Sequence, residues 1–346
     1  MNKVSMPKWT FERGIAGAGF ILLGAVVGTL QFVRPSAAAP TAPFAHLGRG
    51  DSALSAGASL NAFGPSREVR LRFALPGKPT EFPVEVSGDP SSLSYSWVTA
   101  RDTTIETVAR PVNGGSFVAP AMPGFYRLAI VRGTTRQILT EPTLAVLVPF
   151  EQKVGAFLNG YKIGTYLAER IGRRDHPEGF LQVNETDVAL RVSKHLKLGD
   201  FITHDQQADV WPKYVALNPR LLDKLELVLA KVGRTSFTRV PDADDEEQDV
   251  AFDVHSGFRT PAHNSDVQRA AKDSRHQYGD AADVAIDADG DGRVTLKDEA
   301  IVARAVDQVE REHPDLIGGL GLYTSRRYRT PYVHIDTRGK KSRWKG

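Results

Sequence analysis

The apolar residues near the start of the chain form one long run. Residues 14–33 contain no charged side chain, and the run is about as long as a bilayer-spanning helix requires. Three basic residues precede it, which predicts that the N-terminus stays in the cytoplasm. We therefore predict a cytoplasmic tip and signal anchor in 1–36, inserted in the inner membrane, with the rest of the chain in the periplasm. Small residues suited to signal cleavage lie around Ala38, so a secreted protein is the alternative.

The hydrophobic pattern changes twice before residue 150. Residues 37–66 are rich in Ala, Gly, Pro and Ser and have no sustained period, which predicts a flexible spacer. From 67 to 150, short alternating runs are separated by turn residues, which is typical of an antiparallel β-sandwich. Residues 123–128 are similar to the start of a late strand in an immunoglobulin-like domain, where a Tyr fixes the corner before the strand. We expect a spacer or binding role for this domain.

The remaining residues, 151–346, show a mixed pattern. Leucines at helical spacing predict an amphipathic helix over Pro219–Val232. The acidic run 242–247 is too polar for a core and predicts an exposed loop. The fold class expected for this second domain is therefore α+β.

Composition narrows the classes of function. With 346 residues, 41% of them hydrophobic and 25% charged, the chain is long enough for two globular domains. The net charge of +3 comes from scattered basic residues that acidic ones nearly match, which argues against a nucleic-acid partner. A basic cluster at 338–345 predicts either a solvated tail or contact with anionic polymer or lipid. The chain has no Cys, which excludes disulfides, thiolate ligands and cysteine nucleophiles.

Two histidines and one aspartate near the C-terminus form a candidate metal-ligand set: His276, Asp283 and His334. Three such ligands leave a coordination position open for water, as hydrolytic zinc requires. Tyr332, His334 and Asp336 alternate with apolar residues, which predicts a strand that turns these three side chains to one face. Ala281, Asp283 and Ala285 are expected to share the face of a second strand.

Three blocks in order carry a resemblance to a known family: Ser256-Gly-Phe-Arg-Thr-Pro, His276-x-x-Gly-x-Ala-x-Asp283, and Val333-His-Ile-Asp. Over roughly the last 140 residues, the chain resembles the zinc D-Ala-D-Ala carboxypeptidases and peptidoglycan endopeptidases, whose fold is shared with the hedgehog signalling domain. The resemblance implies zinc on His276, Asp283 and His334, and a peptidoglycan stem peptide as substrate. It also implies that Arg259, with Ser256 beside it, binds a substrate carboxylate.

The sequence departs from the family at the general base. Many relatives have an acidic residue three positions before the last zinc histidine, or a His two before it, where this chain has Pro331 and Tyr332. Asp336 is either the base or the group that orients His334. Tyr332 either donates a hydrogen bond to the developing oxyanion or forms an aromatic wall. The nearby His255 and His263 are assigned structural roles.

A second metal motif lies at 287–298. Asp287, Asp289, Asp291 and Asp298 occupy loop positions 1, 3, 5 and 12, with Gly292 at position 6. This spacing matches the calcium loop of EF-hands, with the terminal Asp of dockerin-type loops, and the backbone carbonyl of Arg293 takes position 7. We predict structural calcium here, with a metal-free acidic turn as the alternative.

These features together predict a zinc metallopeptidase of the cell wall. Removal of the terminal D-Ala is the first expectation, because Arg259 suits a free carboxylate. Cleavage of cross-links is the alternative. A zinc-containing wall-binding protein without turnover is a further alternative, since the upstream acid is missing.

Overall fold

The computed structural model describes most of the chain beyond residue 63. The described residues are 64–233 and 252–346, without 83, 87–89, 105–106, 113–115, 174 and 325–329, together with the backbone of 56–58. They belong to one compact unit, Ala42–Gly346. The predicted membrane segment 14–33, most of the spacer and the acidic run 242–247 lie outside them. Within the described part of the chain, no helix combines the length and the apolar composition needed to cross a bilayer.

The described residues form a mixed α+β structure with several antiparallel sheets, so the predicted class is confirmed at that level. The strands before residue 150 are β1 Ala56–Ala58, β2 Leu71–Ala74, β3 Pro79–Glu81, β4 Val84–Val86, β5 Ser94–Thr99, β6 Arg110–Pro111, β7 Ser116–Val118, β8 Gly124–Arg132, β9 Thr135–Ile138, β10 Thr143–Val146 and β11 Val148–Pro149.

The main N-terminal sheet has the order β2-β10-β8-β5-β6, with β9 paired to β8. Its pairs are antiparallel except β2 with β10. A core of edge-to-face aromatic rings lies between this sheet and the β3–β7 pair, formed by Phe82, Tyr95, Trp97 and Phe117. The hydroxyl of Tyr126 donates to the Met122 carbonyl at 2.9 Å, so this Tyr fixes a corner, as its position predicts.

Among the described residues, the second half of the chain contains nine strands and four α-helices. They are β12 Phe157–Leu158, β13 Tyr161–Lys162, α1 Leu167–Arg170, β14 Gly179–Val183, β15 Lys213–Val215, α2 Pro219–Gly233, β16 Phe252–Ser256, α3 Pro261–Asp266, β17 Ala281–Ile286, α4 Leu296–Glu312, β18 Gly319–Tyr323, β19 Tyr332–Asp336 and β20 Ser342–Lys345. The largest sheet here has the order β16-β17-β19-β18-β20. The predicted helix 219–232 is therefore α2.

The two faces of this five-stranded sheet differ in chemistry. Val284, Val333 and Ile335 project from one face into the core that also contains residues of α2 and α4. Residues two apart on a strand share a face, so Asp283 and His334 project from the opposite side. Asp283 pairs with His334, and Ala281 with Asp336, in the register of β17 and β19. The alternation expected from the sequence is confirmed, and it separates the polar cluster from the helices.

A buried ion pair ties the two long helices to the sheet. Lys224 of α2 is fully buried, and its Nζ donates to Glu310 of α4 at 2.8 Å and to the Asp336 carbonyl at 2.7 Å. Glu310 also accepts hydrogen bonds from the Gly318 backbone and from Arg343. These contacts satisfy the buried charges and fix the end of β19 that carries Asp336.

We expect Lys224→Met to lower the free energy of unfolding by about 3–5 kcal/mol, because it removes a buried cation from Glu310 and the lysine donor from the Asp336 carbonyl. Urea denaturation followed by circular dichroism measures this. Lys231→Met is the matched control, since the half-buried Lys231 joins the same two helices through the exposed Glu312. It should cost less than about 1 kcal/mol. Equal losses in the two variants would contradict the role given to the buried pair.

Candidate metal centre

Three side-chain atoms converge on the polar face of the sheet. His276 Nε2 lies 3.2 Å from Asp283 Oδ1 and 3.1 Å from His334 Nδ1, and His334 Nδ1 lies 2.9 Å from Asp283 Oδ1. All three residues are buried. The three residues expected as metal ligands are therefore brought together, although His276 is far from His334 in the sequence.

His276 reaches the cluster from a turn. It lies in a 3-10 turn, Arg275–Tyr278, which ends at Gly279 with a left-handed φ of 70°. A Cβ at Gly279 would lie 2.2 Å from the Ala216 carbonyl oxygen, so this position requires glycine. The His276 Nδ1 lies 2.7 Å from the Gly257 carbonyl, which can only accept. The ring proton is therefore on Nδ1, and the Nε2 lone pair faces the cluster.

His334 is oriented by Asp336. The Nε2 of His334 lies 3.0 Å from Asp336 Oδ2, on the side of the ring opposite the cluster. Asp336 is fully buried, and it also accepts from the Gly319 backbone at 2.7 Å and from Arg338 Nε at 2.8 Å. Of the two roles open to Asp336, this geometry favours orienting His334, and the base has to be sought elsewhere.

The cluster favours neutral imidazole at His276 and ionised carboxylates. Burial lowers the pKa of His276. Burial alone would raise the pKa of Asp283, but His276 and His334 hold it well below its usual range. The pKa of Asp336 is also held low, because its bonds to His334 and Arg338 outweigh burial. The pKa of His334 is raised, because the two carboxylates outweigh burial.

The donor set fits a divalent metal ion. Zinc–ligand distances of about 2.0–2.1 Å place tetrahedral donors roughly 3.3 Å apart, close to the sides of this triangle. Each histidine also has its second nitrogen bound to a fixed acceptor, as metal-ligating imidazoles usually do. His276, Asp283 and His334 can therefore hold a metal ion, and two nitrogens with one carboxylate are compatible with zinc.

Arg259 is bound to the cluster itself. Its Nη2 donates to Asp283 Oδ2, and its Nε donates to Ser256 Oγ at 2.7 Å. Ser256 is the β16 residue paired with Asp283 in the register of β16 and β17. Of the two residues expected to bind substrate, Arg259 therefore holds the distal oxygen of Asp283 and Ser256 holds Arg259, which leaves Oδ1 turned toward the histidines.

A cleft of about 680 Å³ opens over the cluster. Residues 267–275 line one part of it, and Tyr323, Tyr332 and Trp344 line another. The rings of Tyr323 and Tyr332 stack with centroids 4.6 Å apart. Tyr332 thus belongs to an aromatic wall in this structure, which is one of the two roles considered for it.

Sequence reasoning missed part of this wall. Trp344 lies on β20, and its ring centroid is 5.1 Å from that of His334. A Cβ at Gly321 would lie 2.4 Å from the Trp344 ring, so glycine makes room for the indole. Arg338 binds Asp336, and Arg343 binds Glu310, so a solvated tail is wrong for these two cations. The alternation Ser-Arg-Trp-Lys at 342–345 was the signal of a strand.

The predicted calcium loop is partly assembled. Carboxylate oxygens of Asp287, Asp289 and Asp291 lie within 4.8 Å of one another. Asp298 is fully buried and caps α4, where it accepts from Thr295 N and Oγ1 and from the backbone of residues 288 and 289. Arg293 is exposed, and its backbone N–H donates to Asp291. The structure therefore brings three of the five predicted ligands together.

The arrangement joins a buried metal-binding triangle to an open, polar and aromatic cleft. Such a combination can bind an extended ligand and expose one of its bonds to a metal ion. No protein-family model and no curated protein sequence matches this chain. The geometry of the site and the motifs in the sequence are thus the basis for any functional conclusion.

We expect His276→Ala to abolish stoichiometric metal binding, because it removes one of the three donors. Asp336→Asn should retain binding with an affinity lower by about 10–100-fold, since it weakens the group that orients His334. Competition with a chromophoric chelator measures both. Lys341→Ala, at an exposed cation bound to Asp307, is the control and should bind metal normally. Unchanged affinity in Asp336→Asn would refute its orienting role.

Proposed function

We propose that the protein is a zinc-dependent peptidase that hydrolyses amide bonds in the peptide stem of peptidoglycan. The observation that carries this proposal is the buried triangle of His276, Asp283 and His334, which lines an open cleft. The resemblance of three ordered motifs to the zinc D-Ala-D-Ala carboxypeptidases and related endopeptidases supports the substrate class and a hedgehog-like peptidase fold.

Zinc in such a site acts as a Lewis acid toward the scissile carbonyl and makes water more acidic. The residues of the chain keep the ligands in place: Asp336 orients His334, and Arg259 holds Asp283 in one orientation. The stacked Tyr332 and Tyr323 form a wall against which a substrate segment can lie. Tyr332 is also the candidate hydrogen-bond donor to the oxyanion.

Removal of the terminal D-Ala is the first proposed reaction, because a guanidinium at Arg259 suits a free carboxylate. Cleavage of cross-links is the second candidate, and a specific observation favours it. Arg259 is already paired with Asp283 and Ser256, so binding a substrate carboxylate would require it to share those contacts. A cleft of about 680 Å³ also has room for more than a terminal dipeptide.

The proposed location is the outer side of the inner membrane. The apolar run 14–33 and the basic residues before it support an N-terminal anchor. The predicted immunoglobulin-like sandwich in 67–150 is supported by its aromatic core and by the Tyr126 corner. We assign this region a spacer or binding role between the membrane and the peptidase domain.

Calcium in the 287–298 loop belongs to the same proposal. The convergence of Asp287, Asp289 and Asp291 and the EF-hand spacing support it. Because the loop joins β17 directly to α4, a bound ion would stabilise the connection between the metal-binding sheet and its supporting helix.

The assay of activity uses the full chain, loaded with zinc, and defined peptidoglycan fragments analysed by mass spectrometry. We expect the loss of one alanine from pentapeptide stems, and no change with His276→Ala because its site is incomplete. Splitting of dimeric fragments would establish the endopeptidase instead. Intact fragments in the presence of stoichiometric zinc would refute hydrolysis and favour a wall-binding protein without turnover.

We expect calcium to raise the melting temperature of the protein, because the ion binds the folded loop. Asp287→Asn, which removes charge at a buried carboxylate of the loop, should abolish most of this increase. Thermal melts with calcium and with a calcium chelator measure it. Asp315→Asn, an exposed change outside the loop, should keep the increase. The absence of any calcium effect on the wild-type protein would favour the metal-free turn.

A further inference from the structure

Among the described residues that line the cleft, no side-chain carboxylate is placed to accept the proton in the proposed hydrolysis. Asp336 faces the far side of His334 and is fully buried. Of the carboxylates that line the cleft among the described residues, Asp283 belongs to the metal-binding triangle and Asp273 accepts a hydrogen bond from Tyr278. The described residues next to the cleft lining are therefore the candidates for this role.

His255 lies beside Tyr332, which lines the cleft. It occupies the irregularity in the pairing of β16 with β17, where the register shifts between Val254 and Ser256. Ser256, its neighbour, is paired with Asp283. A bulge of this kind often re-aims a side chain beside an active site. Val254 points into the core, and His255 projects from the opposite, polar side, which also carries Asp283.

The His255 ring is held in one orientation by a carboxylate. Its Nδ1 is hydrogen-bonded to Asp253 Oδ2, and both side chains are accessible to solvent. An ionised carboxylate can only accept, so the proton of the neutral ring is on Nδ1. This leaves Nε2 with its lone pair, which is the arrangement that a general base requires.

The other neighbours of this ring place it close to the cleft and to Asp283. The ring centroid of His255 lies 5.8 Å from that of Tyr332, whose side chain lines the cleft. The negative charge of Asp283 acts on His255, and the bond to Asp253 is the largest cause that raises its pKa. His204 and Asp200, from the segment packed on β16, act on Asp253 in turn.

We propose that His255, positioned by Asp253, is the general base of the reaction, an inference that rests on the proposed peptidase function. Its Nε2 accepts a proton from the attacking water as the new C–O bond forms at the scissile carbonyl. It returns that proton to the amine nitrogen as the C–N bond breaks. One water is consumed, and neither an oxidant nor another reactant is required.

Three zinc-loaded full-length variants test the catalytic role on the same peptidoglycan fragments. We expect His255→Gln to lower kcat by about 10²–10⁴-fold with zinc content and KM little changed, because proton transfer is lost. Asp253→Asn should lower kcat by a smaller factor. His313→Gln, at the C-terminal end of α4, should match the wild type. A His255→Gln variant with kcat within threefold of an active wild type would overturn the inference alone. An inactive wild type would overturn the proposed function and the inference with it.

Nitrogen NMR of the His255 ring gives a readout that does not depend on activity. In the zinc-loaded wild type, we expect neutral His255 to carry its proton on Nδ1, and we expect Asp253→Asn to lose this preference. A neutral ring protonated on Nε2 would overturn the inference, because that nitrogen would have no lone pair to accept with.

The pH profile of kcat links the two measurements. A base acts only when deprotonated, so kcat should rise with pH through the raised pKa of His255, above the ordinary value of 6.5. Asp253→Asn should move this rise to lower pH, since it removes the main cause of the raised pKa. A rise that stays in place in Asp253→Asn would show that another group titrates.

Discussion

The pairing of Asp283 with His334 across β17 and β19 is the constraint on which the site depends. In an antiparallel pair, opposite residues have Cβ atoms about 5 Å apart, so two ligands of one metal ion are placed by backbone hydrogen bonds. A slip of one residue in either strand would turn the ligand of that strand into the apolar core and bring a valine to the cleft. Val284 and Val333 pack under α4 on the hydrophobic face. This packing therefore keeps β17 and β19 in the register that places the ligands on the polar face.

A second layer of charges stabilises this arrangement. His334 is oriented by Asp336, Asp336 is bound by Arg338, and the carbonyl of Asp336 is held by Lys224. Burying so many charges is unfavourable unless each is paired, and here each carboxylate meets a cation or a backbone N–H. The glycines of β18 leave room for these charged groups, because a Cβ at Gly319 would overlap the Asp336 carboxylate. The same contacts therefore pack the sheet and orient the ligands.

Local pattern was sufficient to predict the two strands that carry Asp283 and His334. Alternation around His334 and the short spacing from His276 to Asp283 are properties of adjacent residues, and both appear in the structure. Local pattern does not predict contacts between residues that are distant in the sequence. The engagement of Arg259 by Asp283 depends on the register of β16, and the place of Trp344 depends on a parallel pair between β20 and β18. The bulge at His255 is likewise inaccessible to local pattern, since it leaves no clear mark in the order of residues.

The Asp298 carboxylate binds the start of α4 and is also a predicted calcium ligand. Its four hydrogen bonds close the loop and start α4. An ion that recruited Asp298 would therefore compete with the first turn of the helix that supports β17 and β19. Occupancy of the loop would therefore change the stability of the start of α4, and with it the packing of α4 under β17 and β19.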